Sequence, residues 1–285
     1  MKAFVKNALT LLLTVASGAL LFAQSNAQQA SGTSSSQAAQ SAAKHVPQAK
    51  TQAEFKDYNA AYAVNGGAAS EKAAEDFSAK YPASELKTFL YSKAMHDYQT
   101  ENNKPKILEM GTRVLQYDPD NPVALVLTAT VMADMLENSD PDLQKKAATI
   151  KTNGTHALET INADFAPATN ASPEQVAAYK KTLISMAHSA LGIAALKTND
   201  DAGAEKELKA AADANPSQPD AYVWYHLALA QDHQQKYAEA LTSVNQAVQY
   251  ASADPDLAGL ARGERERLQT LTGSTGSNDA KQAPK

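Results

Sequence analysis

Few residues here have the types and spacings that chemistry requires. Ser84-Glu85-Leu86-Lys87 spells the S-x-x-K of a serine acyl enzyme. The accompanying S-D-N and K-T-G segments are absent, so this stretch reads as a helix start. His226 and His233 stand two helical turns apart, too far to chelate one ion without a third element. The chain has no cysteine, which removes thiolate ligands and disulfides together. Asn153-Gly154-Thr155 has the form of a glycosylation sequon, and reads alternatively as a polar, glycine-weakened stretch of helix. No phosphate-cradling glycine loop and no nucleophile elbow occurs. The sequence assigns no catalytic residue, metal or cofactor.

What repeats instead is a set of packing residues. From Ser185 the chain places Leu191-Gly192, then Ala204, Leu208, Ala211 and Pro216. From Ala221 it places Trp224, Leu227-Ala228, then Tyr237, Ala240, Val244 and Ala247 at matching offsets. A short helix pair written twice in succession means a solenoid rather than a globular enzyme core. The expected fold is therefore all-α, a solenoid of antiparallel helix pairs. Gly192 and Ala228 are expected to face Ala204 and Ala240 across their hairpins, where small side chains let two backbones approach.

The rest of residues 51–272 follows the same plan less clearly. Phe55, Tyr58 and Tyr62 share one helical face before the turn Asn65-Gly66-Gly67, and Ala69, Ala73 and Phe77 are expected to stack beyond it. Tyr91, Ala94-Met95 and Tyr98 line the next first helix, with a turn at Asn102-Asn103 and a stop at Asp118-Pro119. Pro122 opens another, through Leu125, Ala129 and Met132, whose partner should start at Asp140-Pro141. A loop from Asp164 to Asn170 interrupts the array. Ser172-Pro173-Glu174-Gln175 then reads as a cap, an N1 proline and a capping-box glutamine opening an unusually long helix. The repeats fall at about 51–84, 88–121, 122–162, 185–218 and 221–254. A final helix over 256–271 should bury Leu257, Leu260, Ala261, Leu268 and Leu271, with Arg262, Arg265, Glu266 and Arg267 outward.

Both ends have a different composition. Lys2 and Lys6 precede an apolar run from Ala8 to Ala23 and the small residues Ser25-Asn26-Ala27, the form of a secretory signal peptide over 1–27. The rival reading is an uncleaved anchor, although the run is shorter than the roughly 20 residues a spanning helix prefers. Residues 28–50 and 273–285 are rich in small and polar residues and read as disordered linker and tail. The implied location is periplasmic or secreted, with no integral span after cleavage. Removing 1–27 takes two lysines and no acid, which moves the formal net charge from −5 to about −7. An acidic chain repels phosphate backbones, so nucleic acid is not an expected partner.

At this point the residues resemble the tetratricopeptide repeat family. The first clear copy sets His188, Leu191-Gly192, Ala204, Leu208, Ala211 and Pro216 on the family's pattern. The second sets Trp224, Leu227-Ala228, Ala240, Val244 and Ala247 there, with the proline displaced to Pro255. His188 stands where the family has a tryptophan, and so reads as a packing residue. The resemblance implies a right-handed superhelix that holds a protein segment in the groove lined by the first helix of each pair. Carried over, that lining is Met186, Ser189, Ile193, Leu196 and Lys197, then Tyr222, Tyr225, Leu229, Asp232 and His233. The repeat from Thr88 adds Phe89, Ser92, His96, Gln99 and Thr100. The lysine–asparagine pair with which some members grip a C-terminal carboxylate is missing. The implied function is a non-catalytic scaffold for a protein or peptide partner in the cell envelope. The alternatives are a structural or self-associating subunit of an envelope assembly, or an enzyme with an unrecognised site.

Overall fold

The computed structural model describes residues 47–165 and 171–279. The expected signal peptide, most of the linker, residues 166–170 of the expected loop and the last six residues lie outside that range. Among the described residues there are α-helices and one 3-10 turn, with no strand. Five pairs follow one another: α1 (Gln52–Tyr62) with α2 (Gly67–Lys80), α3 (Lys87–Thr100) with α4 (Lys104–Tyr117), and α5 (Pro122–Asp134) with α6 (Leu143–Ala163). Then come α7 (Pro173–Lys197) with α8 (Asp201–Ala214), and α9 (Ala221–His233) with α10 (Tyr237–Tyr250). α11 (Pro255–Asp279) ends the array. Each helix packs on the next along the chain. This is an all-α solenoid of helix pairs.

Three of the hairpins share one turn in the same register. Asn102, Asn199 and Gln235 have φ of 56°, 62° and 61°, the left-handed region. Each is the fifteenth residue counted from Thr88, Ser185 and Ala221. In all three a backbone N–H just past that residue returns to a carbonyl five residues earlier: Asn103 to Tyr98, Asp200 to Ala195 and Lys236 to Gln231, each at 2.9 Å. This left-handed closure satisfies carbonyls that a helix end would otherwise strand. Asparagine tolerates the conformation, whereas glutamine is strained there. The first hairpin turns differently, through Gly66 at φ 95°.

Local capping starts the helices. The Ser172 hydroxyl accepts from Gln175 N–H and the Gln175 side chain accepts from Ser172 N–H, the reciprocal box expected at the head of the long α7. Thr51, Asn103, Asn121, Asp200 and Asp220 cap their helices through side-chain oxygens. At α6 the expectation needs correction. The helix starts at Leu143, because the Asp140 carboxylate is spent on Asp142 N–H and on Lys146, leaving Pro141 in a turn before it.

Packing between helices rests on missing side chains. A Cβ on Gly192 would lie 2.5 Å from Leu208 Cγ and 3.2 Å from Leu208 N. Gly192 therefore seats Leu208 rather than Ala204, one turn away, although both are fully buried. Gly154 would meet Leu191 at 2.9 Å, Gly111 would meet Thr128 at 2.4 Å and Gly67 would meet Tyr98 at 2.3 Å. In the last hairpin Leu227, Ala228, Ala240, Val244 and Ala247 are buried, with Trp224 packed across the seam between hairpins. Two burial assignments change. In α2 the inner face is Gly67, Ser70, Ala74 and Phe77, not Ala69 and Ala73. In α11 Leu260 is 52% exposed while Leu257, Ala261 and Leu268 are buried. That helix also continues past Leu271 to Asp279, and Arg267 turns back to pair with Asp232 at 2.5 Å and Glu264 at 2.7 Å.

Two substitutions test this frame. Gly192→Leu has no room against Leu208 and should lose roughly 1–3 kcal/mol or more, read by urea unfolding. Gln235→Gly should gain about 0.5–1 kcal/mol by relieving a left-handed residue, with the same measurement as judge.

Candidate functional site

The first helices of the pairs form a row in which α1 touches α3, α5 packs closely on α7, and α7 meets α9 lightly. The side chains expected to line a groove divide into two groups on this row. Met186, Ser189, Ile193 and Tyr222 are buried, at 3%, 1%, 3% and 9% exposure. They line no open surface. Met186 joins Leu127 and Leu183 in one core, and Ile193 joins Ala129 and Ala133 in the next, because the long α7 lies against α5 as well as α6. Tyr222 lies in the same buried cluster as Ile193 and as Ala251, Leu257 and Ala258 from the turn after α10 and the head of α11. Leu196 and Gln99 are buried too.

The remaining candidates are partly accessible. Phe89 packs its edge on the N-terminal core and Leu229 on the Leu196–Leu227 cluster. The His96 ring is 3.4 Å from the Gln99 amide oxygen. His233 is engaged with Asp201 at 2.9 Å, a bridge from α9 to α8. His188 likewise meets Glu207 at 2.7 Å and ties α7 to α8. Asp232 is held by Arg267. Lys197 and Tyr225 are half-buried.

Around Lys197 and Tyr225 the row carries an aromatic cluster. The His226 ring stacks 4.1 Å from Tyr222 and meets Tyr225 edge-on at 5.5 Å. His226 Nδ1 lies 2.9 Å from the Tyr222 carbonyl oxygen. A carbonyl only accepts, so Nδ1 carries the proton and Nε2 keeps its lone pair. Burial holds His226 down at about 4, helped by the nearby Lys197 ammonium and opposed by the Tyr222 carbonyl and Asp134. Burial pushes the Tyr222 phenol up, with the Asp134 and Asp220 carboxylates adding to it. Asp134, at the end of α5, is buried and paired with Lys104. Asp220 caps α9 by accepting from Tyr222 N–H at 2.8 Å, and burial pushes it up to about 6 against the pull of its two backbone donors. α5, α7 and α9 thus each contribute to one neighbourhood.

Sequence reasoning missed the polar ties between helices. Lys93 donates to Ser70 Oγ at 3.1 Å and to Asp97 at 2.7 Å, while Ser70 donates to Asp97 at 2.5 Å. A serine beside a lysine suggests acyl chemistry, but Ser70 is buried between α2 and α3 with no approach for a carbonyl substrate. Lys106 joins Glu71 at 2.8 Å, and Tyr98 donates to the same carboxylate. Apart from the i,i+4 pair Lys93–Asp97, these partners lie 23 to 35 residues apart, beyond any local pattern. The S-x-x-K stretch forms no dyad. Ser84 Oγ accepts from Leu86 N–H at 3.1 Å, and Lys87 donates to the Pro82 carbonyl and lies over the Tyr117 ring. Among the described residues no three His, Cys, Asp or Glu side chains gather as metal ligands.

No family model matches the chain, and no curated protein matches it.

The two titrating groups at the head of α9 act in opposite directions on acidification. His226 sits below its ordinary value, so its contribution to stability is present above about pH 6.5 and lost as pH falls toward 4. Asp220 sits above its ordinary value, so charging it costs stability near neutrality and protonation restores that as pH falls through 6. Asp220→Asn keeps a capping oxygen and removes only the second effect. Urea unfolding at several values between pH 7 and 4.5 should therefore show a steeper loss in the variant, by up to about 1.4 kcal/mol per pH unit.

Proposed function

We propose that the chain is a non-catalytic scaffold that holds a segment of a partner protein along the row of first helices, at the face formed by α7 and α9. The observation that carries this reading is Tyr225. It is a half-buried aromatic side chain on a first helix, set edge-on to His226 in a fixed framework. Rigid aromatic side chains supply large contact area at low entropic cost and dominate interface energetics. The repeated spacing and the recurrent left-handed turn support reading the array as tetratricopeptide-like. The charged, apolar and small-residue order of residues 1–27 supports export to the periplasm or beyond the cell. No helix among the described residues is long and apolar enough to cross a membrane.

A self-associating subunit is the second reading. The exposed Leu260 favours it, as do Gly259 and Gly263, whose added Cβ atoms would meet nothing within 4 Å. The outward side of α11 is thus open to close approach. Light scattering separates the two, since a monodisperse monomer at all concentrations removes the second.

The functional reading is tested with Tyr225→Ala. The variant should keep its melting temperature within a few degrees and lose partner capture from envelope extract relative to the unaltered chain. Equal capture by both proteins, or a collapse of thermal stability, contradicts the assignment.

A further inference from the structure

Asn-Gly occurs twice in the chain, at Asn65-Gly66 and at Asn153-Gly154. An asparagine side chain placed before glycine has an intramolecular reaction open to it. The backbone nitrogen of the glycine attacks the asparagine Cγ and closes a five-membered imide. The Cγ–Nδ2 bond breaks, and ammonia leaves with the proton that the attacking nitrogen gives up. Water then opens the imide at either carbonyl. One opening gives aspartate; the other gives isoaspartate, whose main chain runs through the side-chain carbon. Glycine permits the attack because it has no Cβ in the way and reaches conformations closed to other residues. The dipeptide is the same at both sites, so the fold decides which of them reacts.

At Asn153 the fold opposes the reaction. Both residues lie inside α6, where the Gly154 N–H is held in the helical ladder. The Asn153 amide donates to Thr128 Oγ1 of α5 at 3.1 Å, and a Cβ on buried Gly154 would lie 2.9 Å from Leu191 of α7. The backbone must leave that seam before its nitrogen can attack, so the reaction waits on local or global opening. Asn65 stands differently. It is exposed and lies between α1 and α2, outside both helices. Gly66 has φ of 95°, and an added Cβ would find nothing nearer than Glu101 Oε1 at 3.8 Å. The bonds that fix this turn use other atoms. The Gly66 carbonyl accepts from Ser70 N–H at 2.8 Å, and Gly67 N–H donates to Glu101 at 2.7 Å. The Asn65 amide donates within its own turn, to the Ala63 carbonyl at 3.3 Å. The Gly66 nitrogen belongs to neither helical ladder.

We infer that Asn65-Gly66 is a site of spontaneous covalent modification, converting to aspartate and isoaspartate in the folded protein while Asn153-Gly154 is preserved. This goes beyond the scaffold reading and does not depend on it. The product bears on how the array starts. α2 is pinned just after the turn, since a Cβ on Gly67 would lie 2.3 Å from Tyr98 and its N–H is held by Glu101. The extra backbone carbon of isoaspartate is therefore absorbed on the α1 side, where that helix packs on α2 and touches α3. The conversion also adds a carboxylate to a turn that already holds Glu101. Both changes loosen α1 and leave the later hairpins intact, because each repeat feels only its neighbours.

Incubation of the full-length protein in mildly alkaline buffer tests this, read by peptide mapping with mass spectrometry and by isoaspartate methyltransferase labelling. In the folded protein the peptide carrying residue 65 should accumulate both aspartate and isoaspartate. Its rate should exceed that of the peptide carrying residue 153 by about tenfold or more. In urea both sites are exposed and the two rates should converge. Asn65→Gln, whose longer side chain cannot close the same ring, should lose the fast isoaspartate signal and leave the slow one at residue 153 unchanged. Equal rates at the two sites in the folded protein overturn the inference. So does conversion at residue 65 that appears only in urea, or aspartate formed there without isoaspartate. Hydrogen exchange on the converted protein should rise in α1 and stay unchanged from α5 onward, and unchanged exchange in α1 overturns the loosening.

Discussion

Side chains enter spaces where the facing helix has no Cβ, and the stack depends on this contact. Leu208 occupies the place of a side chain on Gly192, Leu191 that on Gly154, Thr128 that on Gly111, and Tyr98 that on Gly67. Each contact joins a helix to the next along the chain, so each fixes both the spacing and the rotation of its pair. Fully buried alanines at 204, 228, 240 and 247 continue the same close approach where a methyl group still fits. With no disulfide available, cohesion comes from these seams and from the polar ties beside them.

Those ties contribute through position more than through energy. Exposed pairs such as Lys72–Asp76 are worth little. Lys104–Asp134 is different, because the carboxylate is almost wholly buried and removing either partner would strand a charge. It joins α4 to the end of α5. The Arg267 fork pairs with both Asp232 and Glu264 and so holds α11 onto α9.

What the sequence disclosed was whatever depends on residues close in the chain. The Ser172–Gln175 box, the long helix after it, the Asn102-Asn103 turn and the inward residues of the last two hairpins all follow from local periodicity and capping. The partner face was disclosed only in part. Met186 and Ile193 hold the repeat positions of groove residues, yet α5 covers them, and that contact spans more than fifty residues. Tyr222 is buried in a cluster that the head of α11 helps to build, for the same kind of reason. Leu260 shares a helical stripe with Leu257, but α10 and its turn reach only part of that stripe. Lys197 and Tyr225 were named from position alone; their distinction from the buried candidates needed the whole packing arrangement.

The α5–α7 contact has one more consequence. A stack of repeats deforms at its weakest junction, because each unit feels only its neighbours. α7 is clamped along α5 and α6, whereas its direct contact with α9 is slight and the two are joined chiefly through α8. The same holds between α3 and α5, which are joined chiefly through α4, so the body built on α5, α6 and α7 has a slighter junction on either side. Ile193 lies on that body and Tyr225 beyond its second junction, so a segment lying along both first helices would also set the angle between them.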